Sequence, residues 1–95
     1  MNLGEIMKIK EGFSLKKEND IAIVICDKNI NRNFNANIQL TDISTFLWNL
    51  LASGDKTKEQ MLNALLGQFD ISAVLALNNI DVFIRTLKEN GIIEE

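Results

Sequence analysis

The chain of 95 residues contains no histidine, a single cysteine and no long apolar run. Without histidine it lacks the commonest general base and the commonest metal ligand, and none of its serines has a histidine partner for nucleophilic catalysis. The cysteine, Cys26, has no second thiol for an internal disulfide, and its place at the end of an apolar segment favours a buried structural thiol. The five glycines are scattered and form no phosphate-binding loop. We therefore expect no catalytic residues, no metal and no cofactor.

No targeting or membrane-spanning segment is evident in the sequence. No apolar stretch approaches the roughly 18 residues that a membrane-spanning helix needs. The N-terminus carries Glu5 and lacks the apolar core of a secretion signal, so we expect a soluble cytoplasmic protein. A chain of this length is expected to form a single domain over residues 1–95, with a small core that buries roughly 65% of the unfolded surface.

Charge is unevenly divided along the chain. Residues 1–40 carry six basic and five acidic side chains, whereas residues 41–95 carry four basic and eight acidic ones. The second part of the chain, which has the helical patterns, is therefore acidic. This disfavours binding to phosphate groups.

Two segments in the first third of the chain have the pattern of β-strands. Residues 6–15 form a weak strand pattern that Gly12 can bend, and residues 16–20 are polar and indicate a turn. Residues 21–26 are continuously apolar and rich in β-branched side chains. A run of this kind predicts a central strand that is covered on both faces.

The clearest strand pattern lies over residues 34–40, where apolar and polar side chains alternate strictly. The apolar side chains fall on one face and are Phe34, Ala36, Ile38 and Leu40. The polar side chains fall on the other face and are Asn35, Asn37 and Gln39. The segment contains no Lys, Glu or Pro, the residues that usually protect an exposed sheet edge. Such an edge can accept an extended peptide as an additional strand.

Directly after this strand the apolar period changes from 2 to about 3.6, and three helical patterns follow. Thr41 can cap the first helix. The segment from Thr57 to Gln60 is a capping box that opens the second helix, and Asp70 or Ser72 begins the third. Strands followed by helices indicate an α+β fold, with a three-stranded antiparallel sheet followed by three helices, similar in outline to a winged helix-turn-helix.

The third helix carries apolar side chains on two sides. Its core stripe is centred near Ile80, and Leu75 and Val82 lie roughly 140–160° away from that centre. Asn79 and Thr86 flank these two side chains. Two interpretations remain open: Leu75 and Val82 are ordinary scattered surface hydrophobes, or they belong to one wall of a groove whose other wall is the alternating strand.

Structural roles are the simpler interpretation for the single tryptophan and for three carboxylates. Trp48 lies at the edge of the first helix's apolar stripe and is expected in the core. Asp42, Glu59 and Asp81 lie on polar helix faces, where a solvated surface charge is expected.

With these segments assembled, the chain resembles the PqqD-like family, named for the synthesis of pyrroloquinoline quinone (PQQ). Its members are recognition domains in the maturation of ribosomally made, post-translationally modified peptides (RiPPs). The resemblance covers nearly the whole chain and rests on Gly12-Phe13 with Leu15, the apolar strand 21–26, Phe34-Asn35, Leu40-Thr41-Asp42-Ile43-Ser44, Leu47-Trp48-Asn49-Leu50-Leu51, Gly54 with Thr57, Phe83-Ile84 with Leu87, and Gly91-Ile92-Ile93. Thr41, where many relatives carry Asn, and Ser44, where a small residue is common, depart from the family pattern but keep the capping and close-packing roles.

The resemblance implies a function without catalysis. The chain would bind the leader region of a precursor peptide by β-strand addition and present it to a modifying enzyme, often a radical S-adenosylmethionine protein. Carried onto this sequence, the implied peptide-binding residues are Asn35, Ala36, Asn37, Ile38 and Gln39 on the strand and Asn79, Val82, Arg85 and Thr86 on the third helix. Neither nucleic acid nor a membrane is an expected partner, and no residue selects PQQ over another peptide-derived product.

Two other function classes stay open at the level of the sequence. A winged-helix DNA-binding regulator would carry Lys and Arg on its third helix, but residues 72–90 contain two acidic and two basic side chains. A structural or assembly subunit could dimerise through the unprotected strand edge, so both a monomer and a dimer remain compatible with the sequence.

Overall fold

The computed structural model of the chain describes residues 5–26 and 38–94. The described elements are, in order, β1 (Ile6–Ile9), β2 (Phe13–Glu18), β3 (Ile21–Cys26), β4 (Gln39–Leu40), α1 (Asp42–Ala52), β5 (Lys56–Thr57), α2 (Lys58–Gln68), α3 (Ala73–Glu89) and β6 (Ile93–Glu94). The predicted α+β fold with a three-stranded antiparallel sheet and three helices is confirmed. The predicted strand residues 34–37 lie outside the described residues.

The predicted strand over residues 6–15 is two strands in two different sheets. The chain turns at Glu11 and Gly12. Gly12 has a φ of 96°, a backbone angle that residues with a Cβ atom rarely adopt. As a result β1 pairs with β5 and β6, in the order β5-β1-β6, whereas β2 belongs to a second sheet with the order β2-β3-β4. The strand prediction was wrong because the glycine allows a turn that separates two strands, not a bend within one strand.

A tight hairpin joins β2 to β3. Asn19 and Asp20 have φ angles of 51° and 68°, the left-handed conformation of a two-residue type I′ turn that matches the twist of a hairpin. The predicted turn over residues 16–20 was therefore too long, since β2 continues to Glu18 opposite Ile21. Lys16, Lys17 and Glu18 are exposed residues at the end of β2 and not part of the turn.

β3 is the central strand of its sheet, but the core covers only one of its faces. Ala22 and Val24 are buried, whereas Ile21 and Ile25 are 42% and 37% exposed. The prediction of burial on both faces was wrong because a continuous apolar run does not indicate how many layers pack on a sheet. Cys26, predicted to be buried, is partly buried at the end of this strand.

Each of the three helices begins at a side-chain cap. Thr41 Oγ1 accepts a hydrogen bond from the Ser44 N–H at 3.1 Å, as predicted for α1. The capping box of α2 is also confirmed, because Thr57 and Gln60 each accept from the other's backbone N–H. Ser72, not Asp70, caps α3. These caps satisfy N–H groups that have no partner within a helix.

The core lies between the helices and the inner faces of the two sheets. Its fully buried large side chains are Leu47, Met61, Leu65, Ile80, Leu87 and Ile92. Trp48 is buried, as predicted, and the C-terminal Ile92 and Ile93 pack against the core where β6 pairs with β1. Phe46 and Phe69 meet edge to face with ring centroids 5.6 Å apart, which joins α1 to the end of α2. Among the described residues, no helix has the length and apolar character needed to cross a membrane.

Two neighbouring leucines of α2 give a direct test of this core. Leu65 is fully buried and Leu66 is 37% exposed. We expect Leu65→Ala to lower the free energy of unfolding by about 2–5 kcal/mol, because it removes buried methyl groups and leaves a cavity. Leu66→Ala is the matched control and should cost less than about 1 kcal/mol. Urea unfolding followed by the fluorescence of Trp48 measures both, and equal losses in the two variants would contradict the core assignment.

Candidate functional site

The outer edge of β4 presents backbone hydrogen-bonding groups away from its sheet. β4 is the last strand in the order β2-β3-β4 and pairs with β3 in an antiparallel register that places Gln39 opposite Ile23. The Val24 N–H donates to the Ile38 carbonyl at 3.0 Å. Because bonded and non-bonded pairs alternate along an antiparallel ladder, the N–H and C=O of Gln39 point away from β3. A further strand could therefore pair at this residue.

A groove with a volume of about 180 Å³ lies between β4 and α3. Its lining combines the end of β4, the start of α1 and one flank of α3, and consists of Ile38, Gln39, Leu40, Thr41, Ser44, Val82, Phe83, Thr86 and Leu87. None of these side chains is charged. Ile38, Phe83 and Leu87 are buried, whereas Val82 is 43% exposed. The groove therefore offers an apolar surface directly beside the open backbone edge.

Hydroxyl groups add polar contacts to this apolar groove. The Thr41 hydroxyl donates to Ser44 Oγ at 3.1 Å while it accepts from the Ser44 N–H. Since Thr41 uses its proton in this bond, the Ser44 hydroxyl proton can turn toward another acceptor. Together with Thr86 on α3, these groups can hydrogen-bond a bound polar group without requiring a charged partner.

The structure brings together four of the predicted peptide-binding residues. Ile38 and Gln39 line the strand side of the groove, and Val82 and Thr86 line its helix side. These positions favour the groove interpretation of Val82 over that of a scattered surface hydrophobe. Leu75 is also exposed but lies outside the lining.

The other predicted residues are placed differently. Asn79 is half-buried and its side-chain Nδ2 donates to the Leu75 carbonyl of the same helix at 2.9 Å. Arg85 is exposed, and neither of these two side chains lines the groove. Asn35, Ala36 and Asn37 lie outside the described residues, so their role remains a prediction.

Five lining residues were not among the predicted peptide-binding residues. They are Leu40, Thr41, Ser44, Phe83 and Leu87. The sequence had assigned each of them to a strand face, a helix cap, close packing or the core stripe, and these roles are real. Their second role follows from the meeting of α1, β4 and α3, which no local pattern predicts.

One carboxylate expected at the surface is part of a buried contact. Asp81 Oδ1 is buried and contacts the ammonium of Lys58, which is itself buried at the start of α2. The expectation of a solvated Asp81 was correct only in part: the side chain is 38% exposed, but Oδ1 is covered because α2 packs beside that flank of α3. Asp42 and Glu59 are exposed, as expected. Within residues 5–26 and 38–94, no group of three or more His, Cys, Asp or Glu side chains could hold a metal ion.

Comparison with known families identifies the chain. The family model for coenzyme PQQ synthesis protein D (PqqD) matches residues 32–93. The chain belongs to the PqqD family. The match includes β4, α1 and α3, so every residue that lines the groove lies within the PqqD region. The predicted family resemblance is confirmed.

A solved structure shares the fold of this PqqD-family chain. It is described as TbiB1 in complex with the TbiA(beta) leader peptide, and it superposes with a TM-score of 0.71 at 17% sequence identity. The similarity covers 92% of this chain and 94% of the other. No curated protein sequence matches the chain significantly.

Two proline substitutions test the direction of the β4 backbone groups. We expect Gln39→Pro to change the free energy of unfolding by less than about 1 kcal/mol, because proline is tolerated where the N–H faces solvent at a sheet edge. Ile38→Pro replaces a core side chain that is only 9% exposed and constrains the backbone whose carbonyl accepts from the Val24 N–H, so it should cost more than about 2 kcal/mol. Urea unfolding distinguishes them, and a larger loss for Gln39→Pro would contradict the register.

Proposed function

We propose that this protein binds the leader region of a ribosomally made precursor peptide as an additional strand on β4. The observation that carries the proposal is the open backbone edge at Gln39 beside an uncharged groove. An extended peptide can pair with the outward N–H and C=O of Gln39 and direct alternate side chains toward α3. Main-chain bonds would supply affinity, and the groove would supply selectivity.

Two comparisons support this proposal. The chain belongs to the PqqD family, whose model is described as coenzyme PQQ synthesis protein D. The protein with the same fold is described in complex with a leader peptide. Both agree with an edge strand and a groove that are suited to an extended peptide.

The role that we propose is recognition without catalysis. The bound peptide would be presented to a separate modifying enzyme, which the family resemblance suggests is a radical S-adenosylmethionine protein. Asn35, Ala36 and Asn37 would extend the pairing edge beyond Gln39. Arg85 is exposed on α3 and would pair with an acidic leader residue that extends past the groove.

The charges on α3 give no support to DNA binding. Lys88 lies 4.0 Å from Glu5, Asp81 contacts Lys58, and Glu89 adds a further negative charge. A recognition helix would instead present several unpaired cations to phosphates and bases.

Val82 provides a test of the helix wall. A leader peptide from the precursor gene encoded beside this one would be labelled and titrated by fluorescence anisotropy. We expect Val82→Glu to weaken binding by about tenfold or more, because the bound peptide would bury an unpaired carboxylate. Val82→Thr is the control of similar shape and should bind more tightly than Val82→Glu. Unchanged affinity in a folded Val82→Glu protein would exclude α3 as the second wall.

Gln39 provides an independent test of strand addition. We expect Gln39→Pro to abolish binding of the same peptide, since the outward N–H is lost. Gln39→Ala keeps that N–H and should retain most of the affinity. The anisotropy titration compares the two variants after each has been shown to fold, and equal binding would refute backbone pairing at this position.

A further inference from the structure

A charged contact between a buried lysine and a partly buried aspartate lies on the flank of α3 that faces away from the groove. Lys58, the first residue of α2, is 8% exposed, and its ammonium contacts Asp81 Oδ1. That oxygen atom is itself buried, and the Asp81 side chain as a whole is 38% exposed. Desolvated charges of this kind oppose folding unless each is closely matched by a partner, so a buried pair is weak evidence for a purely stabilising role.

The pair lies opposite the groove with respect to the axis of α3. At about 100° per residue, Asp81 lies about 100° from the core direction marked by Ile80. Thr86 and Val82 lie about 120–160° from Ile80 in the other sense. Asp81 also directly precedes Val82 and Phe83, which both line the groove. A rotation of α3 at Asp81 therefore moves the groove wall directly.

The buried side chains of α3 fix which face of the helix points into the core, and the contact with Lys58 adds a directional constraint on its flank. These buried side chains are Ala76, Ile80, Phe83, Ile84 and Leu87, all apolar. Burial of apolar area is non-directional, whereas a desolvated ion pair requires its two groups to meet in one geometry. The contact of Lys58 with Asp81 supplies that geometry from α2.

We propose that the Lys58–Asp81 pair fixes the rotation of α3 about its own axis and thereby positions Val82 and Thr86 opposite β4. Lys58 and Asp81 are positioning residues, because neither lines the groove. This inference rests on the proposed function for its consequence in peptide binding. The rotation of α3 itself can be measured without peptide.

The test separates positioning from stability by removing both charges together. Asp81→Leu alone leaves the buried Lys58 ammonium without its partner and should destabilise the fold, whereas Lys58→Met leaves a carboxylate that is partly exposed to water. The double variant Lys58→Met/Asp81→Leu removes both charges, a change that is often neutral or stabilising. We expect its urea midpoint to equal or exceed that of the unmodified protein. The control, Lys16→Gln/Glu18→Gln, removes an exposed pair whose charged atoms lie 3.0 Å apart on β2.

The first readout is the orientation of α3 in the free protein. Residual dipolar couplings of its backbone amides, fitted together with those of α1 and β3, report rotation about the helix axis. We expect α3 to rotate in the double variant and not in the control. Asp81→Glu keeps both charges but lengthens one side chain, and it should also shift α3, which gives a second variant of the same site. An unrotated α3 in either folded variant would overturn the proposal.

The second readout is the affinity for the leader peptide encoded beside the gene. The double variant should bind about two- to thirtyfold more weakly, the range for residues that act without touching the ligand, whereas the control should bind as the unmodified protein does. Unchanged affinity despite a rotated α3 would overturn the positioning role. If the unmodified protein fails to bind, the proposed function fails. The dipolar couplings still decide whether the Lys58–Asp81 pair fixes the rotation of α3.

Discussion

Burial of one face of α3 is the constraint from which the arrangement of the site follows. Ile80 and Leu87 are fully buried in the core, so the helix cannot turn its apolar stripe outward without losing several kcal/mol of apolar burial, at about 25 cal/mol per Å². With this face fixed, Val82 remains at the surface and faces the end of β4 across the groove. Phe83 and Leu87 belong both to the core and to the lining of the groove.

The second requirement is a sheet edge that stays open. Proteins usually protect edge strands with Lys, Pro, bulges or a covering element, because unpaired backbone groups invite association. The described part of β4 consists of Gln39 and Leu40 and therefore contains neither Lys nor Pro. On its C-terminal side the edge ends where α1 begins, two residues beyond Leu40. The result is an unprotected edge beside a groove that restricts which side chains a bound strand can carry.

Local features were predicted well from the sequence, and features that depend on distant contacts were not. The caps at Thr41 and Thr57 were correct because each depends on residues within one helical turn. The division of the first strand between two sheets, and the solvent-facing side of β3, were missed because each depends on which distant segment packs nearby. The partnership of Asp81 with Lys58 was missed for the same reason. The groove was anticipated at Val82 and Ile38, but Thr41 was recognised only as a helix cap and Ser44 only as a close-packing residue.

The most direct measurement of the central claim is an amide-resolved NMR titration of the isotopically labelled protein with the leader peptide encoded beside it. Pairing of the peptide at the β4 edge predicts concentrated shift changes at Gln39 and Leu40 and at the amides of Val82 to Thr86, with protection of the Gln39 amide from exchange. Saturable shifts confined to other surfaces, with Gln39 and α3 unaffected, would contradict the assignment of this edge and groove as the peptide-binding site.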